Sequence, residues 1–232
     1  MDEIKILKIE DEHYPALLKR ISNPPKVLYY RGEMKRDEFC LSVVGARNYS
    51  NYGKQVATEI VGRLTSAGLT IVSGLALGID TFAHQVCVNK KKRTIAVLGT
   101  GLDEKSIYPG LNIGLTREII KYGGCLISEL PPGNRGSRLS FPARNRIISG
   151  LSHGVLVIEA KNKSGSLITA KHALNQDRAL FAVPGHIYSA NSAGTNKLIK
   201  RGAKLVDNFN DILEELSLSI LESNDPRIKK LF

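Results

Sequence analysis

The sequence predicts an α/β fold of the extended Rossmann-like, doubly wound kind: a mostly parallel sheet with helices on both faces. Three observations predict it. From residue 41 onward, short β-branched or apolar runs alternate with longer segments of helical period. The loops that follow those runs contain glycine, as tight strand-to-helix turns require. A chain of 232 residues, 42% hydrophobic and 24% charged, is enough to bury a substantial core as one domain.

Strands are expected at 41–44, 70–72, 95–98, 125–127, 155–158 and 180–183, with a short seventh at 204–206. Between the first two, Val56, Ile60 and Leu64 recur at i+4 with Ala57 and Val61 beside them, an apolar helical stripe that Gly68 can terminate. Further helices are expected at 80–88, 113–122, 142–151, 167–176 and 196–201. Residues 1–40 carry Pro15, Pro24 and Pro25 and no βαβ unit, and read as an N-terminal arm packed on the core. The main domain then runs over 41–221, ending in a helix at 211–221 whose Ile212, Leu213, Leu216 and Ile220 suit a core-packed closing helix more than a partner-facing one, and 222–232 is a tail.

Charge is uneven along this frame. Residues 1–40 hold 8 basic and 8 acidic side chains, 41–206 hold 22 and 8, and 207–232 hold 3 and 6, for nets of 0, +14 and −3. The central block therefore carries the whole excess, which favours a polyanionic partner. No apolar run approaches a membrane span, and residues 1–5 lack the basic flank and apolar stretch of a signal peptide, so a cytoplasmic protein without membrane insertion is expected. Cys40, Cys87 and Cys125 lie far apart and form no CxxC pair, so they read as small core residues.

In an open parallel sheet, ligands bind beyond the carboxyl ends of the strands, near the point where strand order reverses. Standard nucleotide signatures fail there. The stretch 45–54 ends in Gly53-Lys54 with the wrong spacing, and Gln55 stands where a magnesium-binding hydroxyl is needed, so there is no Walker A loop. Gly99 and Gly101 lack the third glycine of a dinucleotide fingerprint, and Asp103 and Glu104 follow them. No cofactor is expected. The GxSxG match at 150–154 ends a helix and precedes a strand, the reverse of a nucleophile elbow. Asp80 and His84 share a helix face but have no third ligand beside them, so a helix-start carboxylate and a packed histidine are expected, and no metal site.

The densest chemical signal is 135–146, where Arg135, Arg138, Arg144 and Arg146 surround Phe141. Arginine grips phosphate through its planar fork, and an adjacent phenylalanine can stack on any base, which suits a single strand with splayed bases. Pro142 suits the first helical position, placing Phe141 on the loop just before it. The other reading of Phe141 is a core residue that clips the loop down. Arg47 in the first loop is the second anchor, and Lys161, Lys163, Lys171, Lys197, Lys200, Arg201 and Lys204 could extend the track.

Five motifs stand in one order: Val44-Gly45-Ala46-Arg47 with Ser50 and Tyr52-Gly53; Ser73-Gly74 through Asp80, with Ala83-His84; Phe141-Pro142-Ala143-Arg144-Asn145-Arg146 through Ser152; Ser164-Gly165-Ser166 through Ala170; and Val183-Pro184-Gly185. In this order they resemble the DNA-processing protein A (DprA/Smf) family over about residues 14–206. The resemblance implies a single-stranded DNA-binding protein of natural transformation that protects incoming DNA, helps load the RecA recombinase, acts as a homodimer and is not an enzyme. It implies phosphate contacts from Arg47, Arg144 and the Gly165-Ser166 helix start, base contact by Phe141, and a structural polar role for Asn145. The full expected DNA-binding set is Arg47, Ser50, Ser73, Gly74, Arg138, Phe141, Arg144, Asn145, Arg146, Lys163, Gly165, Ser166 and Lys171. The expectation is a Rossmann-like core without the family's N-terminal sterile-alpha-motif-like or C-terminal winged-helix domain.

The competing class is a nucleotide-processing enzyme of the phosphoribohydrolase type, which shares the Rossmann-like pocket. Residues 164–171 carry no glutamate on the opening turn where that chemistry needs one, leaving Glu129 and Glu159 at strand ends as substitutes. A third reading is a nucleotide-sensing module without catalysis.

Overall fold

A computed structural model of the chain describes residues 3–223, with side chains of the closing helix described to residue 217. The expected tail at 222–232 lies outside the described residues from 224 onward. The strands are β1 (Lys5–Lys8), β2 (Val27–Gly32), β3 (Cys40–Val44), β4 (Thr70–Ser73), β5 (Thr94–Leu98), β6 (Cys125–Ser128), β7 (Gly154–Val157), β8 (Ala179–Ala182) and β9 (Lys204–Leu205). The helices are α1 (Ala16–Lys19), α2 (Asn51–Ser66), α3 (Ile79–Asn89), α4 (Ile113–Lys121), α5 (Ser140–Gly150), α6 (Ser166–Asn175), α7 (Ala193–Ile199) and α8 (Asn210–Ser223).

The strands form one sheet in the order β1-β2-β6-β5-β4-β3-β7-β8-β9. From β6 to β9 every pairing is parallel. The chain steps outward from β3 through β4 and β5 to β6, then returns to lay β7 against the other side of β3. Strand order therefore reverses between β3 and β7, and the loops beyond their carboxyl ends diverge to leave a crevice.

Alternation with period two sorts the strand residues between faces. Leu41, Val43, Leu156 and Ile158 pack with α2 and α3 on one face, where Ile212 and Leu216 of α8 also enter the core. Val44, Val72, Val155 and Val157 pack on the other face with Leu18 of α1, Ile147 and Ile148 of α5 and Ala170 and Ala173 of α6. A third cluster lies under Ile119 of α4. The buried Ile212 and Leu216 match the core-packing expectation for the closing helix, while the side chain of Ile220 lies outside the described residues.

The first 40 residues are more than an arm. β2 pairs antiparallel with β6 and β1 with β2, so this segment extends the sheet by two strands. Arginines from the core fasten the rest of it. Arg93 Nε donates to Glu38 Oε1 at 2.5 Å, Arg146 Nε to Asn23 O at 3.0 Å and Arg178 Nη2 to Leu17 O at 3.0 Å.

All three cysteines are buried and free. Ser152, the serine of the GxSxG match, is buried between α5 and β7 with its Oγ 2.8 Å from Ser42 Oγ. Among the described residues no helix is long and apolar enough to cross a membrane, and no group of three or more His, Cys, Asp or Glu could hold a metal ion.

Candidate functional site

A cleft of about 410 Å³ opens at the switch point, within the size range of ligand pockets. It is lined by the loop after β3 (Gly45, Ala46, Arg47, Asn48), the loop after β7 (Lys161, Lys163, Ser164, Gly165), the start of α6 (Ser166, Ile168, Thr169), and one face of α5 (Phe141, Pro142, Arg144, Asn145, Ile148).

Each wall is fixed by identifiable contacts. Gly78, at φ +86, lies where a Cβ would come within 2.3 Å of Ala46 O and 2.5 Å of Arg47 O, so only glycine lets the β4 loop brace the Arg47 loop this closely. On the other side of that loop, Ser50 caps α2 by accepting from Gly53 N–H at 3.1 Å. The buried Glu159 accepts from Ser50 N–H at 2.9 Å and from Asn191 Nδ2 at 3.3 Å. Asn145 Nδ2 donates to Gly165 O at 3.3 Å and so ties α5 to the turn that opens α6. That turn leaves Gly165 as an N-cap with no side-chain hydrogen bond, and a Cβ there would meet only open space. The positive end of the α6 dipole thus faces the cleft.

The floor is a buried charged pair. Arg144, 7% exposed, donates through Nη1 to Gly74 O at 2.6 Å and to Val97 O. Gly74 N–H donates to Asp80 Oδ2 at 3.1 Å, and a side chain on Gly74 would collide with both Arg144 and Asp80. Burial pushes the Asp80 carboxyl above its ordinary range, against the pull of the Arg144 charge and backbone amides. Burial lowers Arg144 to about 10, with Asp80 opposing and Arg47 adding to the drop. The Arg47 effect places a second guanidinium within electrostatic reach of the first. His84 is also buried, its Nδ1 2.9 Å from Thr94 Oγ1, and burial followed by the Arg144 charge brings it down to about 3. Asp80 and His84 are thus the internal pair expected from the sequence.

Of the expected residues, the fold gathers Arg47, Phe141, Arg144, Asn145, Lys163, Gly165 and Ser166 around the cleft. The others are placed differently. Ser50 is the α2 cap. Ser73 is fully buried, its hydroxyl donating to Val43 O at 2.6 Å, and Gly74 is closed between Arg144 and Asp80. Arg146 points to the far side of α5, where Nη2 meets Glu129 Oε1 at 2.7 Å. Arg138 is exposed on the turn ahead of α5 and Lys171 on the outer side of α6, neither lining the cleft. Arg144 lines it from below, held by carbonyls rather than standing free for phosphate.

Phe141 lies within the first turn of α5, not on the loop before it, because the helix begins at Ser140. Proline's missing N–H costs nothing anywhere in a first turn, so Pro142 at the third helical residue is tolerated. The ring is half-buried against Gly99, where a Cβ would come within 2.8 Å of Phe141 Cδ1, and it also borders the cleft. The ring thus clips the β5 loop, as the core reading expects, and also faces the cleft. Asn48, Ser164, Ile168 and Thr169 line the cleft although none belongs to the expected DNA-binding set. Position on the two loops already selected was the available signal for Asn48 and Ser164. Glu159 and Glu129, the carboxylates considered for glycosidic chemistry, hold a loop and an arginine respectively.

The molecule is thus of the Rossmann-like class, with a cationic, aromatic-edged cleft at the switch point of its sheet. More narrowly, the chain belongs to the DNA recombination-mediator protein A family, whose model matches residues 5–217. It is 42% identical over 225 residues to the DNA processing protein DprA of Bacillus subtilis, covering 96% of this chain and 75% of that protein. Across the curated relatives it matches, the chain spans 54% to 75% of their length. The X-ray structure of DprA from Streptococcus pneumoniae superposes with a TM-score of 0.84 at 41% identity, covering 92% of this chain and 74% of that one. DprA from Helicobacter pylori, whose structure concerns a single-stranded DNA binding mode, superposes at 0.81 with 30% identity, covering 94% and 99%.

Proposed function

We propose that this chain binds single-stranded DNA in the switch-point cleft, with little sequence preference, as a protein of natural transformation that shields an incoming strand and helps load the RecA recombinase onto it. The observation that carries the binding is the convergence of Arg47, Lys161, Lys163 and the N-terminus of α6 on a single cleft edged by Phe141. Cations spaced along a groove track a phosphate backbone, and a ring at its edge takes an unpaired base, which a duplex keeps inside its stack. Membership of a recombination-mediator family and the Helicobacter pylori relative support the same reading. The homodimer, the RecA contact and the cytoplasmic setting belong to this proposal through the family resemblance. A strand-exchange assay with RecA tests the loading role.

Fluorescence anisotropy with matched single- and double-stranded oligonucleotides tests the binding role. Single strands are expected to bind more tightly, and Phe141→Ala to weaken them by about 1–3 kcal/mol through lost stacking. Equal or tighter duplex binding would refute the assigned cleft.

A further inference from the structure

Beside Phe141 stands a second ring. Tyr108, on the loop after β5, has its ring centroid 5.7 Å from that of Phe141, with the ring planes 57° apart. It is 56% exposed, so the core does not account for its size. Neighbouring loops hold the two rings in place. Ser140 Oγ donates to Gly99 O at 2.8 Å, Gly101 N–H to Asn134 O at 2.7 Å, and Gly133 N–H to Asp103 Oδ1 at 2.6 Å. These bonds lock the Tyr108 loop to the segment that carries the exposed Arg135 and Arg138. The result is an aromatic pair on two loops tied to each other, and such pre-organisation limits the conformational entropy lost on binding.

We propose that Tyr108 is a second base-stacking residue, and that it and Phe141 take two successive bases of one strand, one on each ring. This rests on the single-strand reading above. The tilt between the rings adds a consequence. Successive bases that stack on each other lie parallel, and two platforms 57° apart cannot both be covered by parallel bases. The step between them must be unstacked, so strands that stack weakly enter more readily than strands that stack strongly, and thymine runs are favoured over adenine runs.

The test compares wild type, Phe141→Ala, Tyr108→Ala, Tyr108→Phe and the double alanine variant on a thymidine oligonucleotide and on a fully abasic chain of equal length. Both ligands carry the same phosphates, and only one carries bases. On the thymidine strand each alanine variant should lose about 5- to 150-fold in affinity. The double variant should lose more than either single variant, since two bases are released, although the rings are near enough for the two losses to be coupled. Tyr108→Phe should bind like wild type, and on the abasic chain all variants should bind alike. Wild type should also prefer the thymidine strand to an adenosine strand. If Tyr108→Ala costs nothing further once Phe141 is removed, or costs as much on the abasic chain, the proposal is overturned. Failure of wild type to bind either strand would instead overturn the single-strand reading itself. Photo-crosslinking of wild type to a 5-iodouracil strand is a second readout that needs no substitution. A crosslink on Tyr108 supports the proposal, and crosslinks that exclude Tyr108 while reaching Phe141 contradict it.

Discussion

Arg144 shows how far the role of a single arginine depends on burial. Alone in a basic run it reads as a phosphate ligand, yet its guanidinium is turned inward onto the Gly74 and Val97 carbonyls beside Asp80. There it shapes the floor of the site together with Asp80, while Arg47 and Lys163 line the same cleft as exposed cations. The same charge helps keep His84 neutral down to about pH 3, whereas an unfolded chain protonates histidine near 6.5. Over that interval the unfolded state takes up a proton that the fold excludes, so stability falls as pH drops below 6.5. One unit below the unfolded value, at about pH 5.5, this single group lowers stability by about 1 kcal/mol relative to neutral pH. Urea denaturation at the two pH values should show that loss in wild type and a smaller one in His84→Gln. An identical loss in the variant would place the effect elsewhere.

At the scale of the element, α5 explains which arginines face the site. With the helix starting at Ser140, Phe141, Arg144, Asn145 and Ile148 fall at i, i+3, i+4 and i+7 on one face, and all four line the cleft. Arg146 sits on the opposite side, where it holds Glu129 and the N-terminal segment. Residue type along 135–146 made the segment conspicuous in the sequence, but only the helix phase sorts its members, and that phase turned on a start two residues before Pro142. Ser73 and Gly74 were misplaced for a related reason: both stand at a strand's carboxyl end, and nothing local to the sequence says that Arg144 closes over them. Gly78 makes an element-level prediction. A methyl group there meets the Ala46 and Arg47 carbonyls at a positive φ, so Gly78→Ala should shift the Arg47 loop. Loss of about 1–3 kcal/mol in thermal or chemical denaturation is expected, together with weaker single-strand binding. A variant as stable as wild type would mean that the loop does not need this contact.

For the whole molecule, the parallel core was legible because its strands from β3 to β8 are short β-branched or apolar runs, each followed by a glycine-containing turn and a helix. The N-terminal strands were not, since β2 finds its partner β6 about a hundred residues away and its pairing leaves no local period. Net charge was informative in sign but overstated in reach: Arg93, Arg144, Arg146 and Arg178 of the basic block hold internal carbonyls or carboxylates. What remains exposed at the switch point is the part that can act on a ligand. The central claim is that this cluster, rather than the general basic surface, neutralises the phosphates of a single strand. The salt dependence of single-strand affinity measures that directly. If about five phosphates are neutralised, the log–log slope for wild type should be about −3.5, and Arg47→Ala should bind more weakly with a slope shallower by about 0.7. Lys92→Ala, on the exposed segment that enters β5 at the amino end of the strands, away from the cleft at their carboxyl ends, should retain both affinity and slope. An Arg47→Ala protein indistinguishable from wild type, or a Lys92→Ala protein equally impaired, would contradict the account.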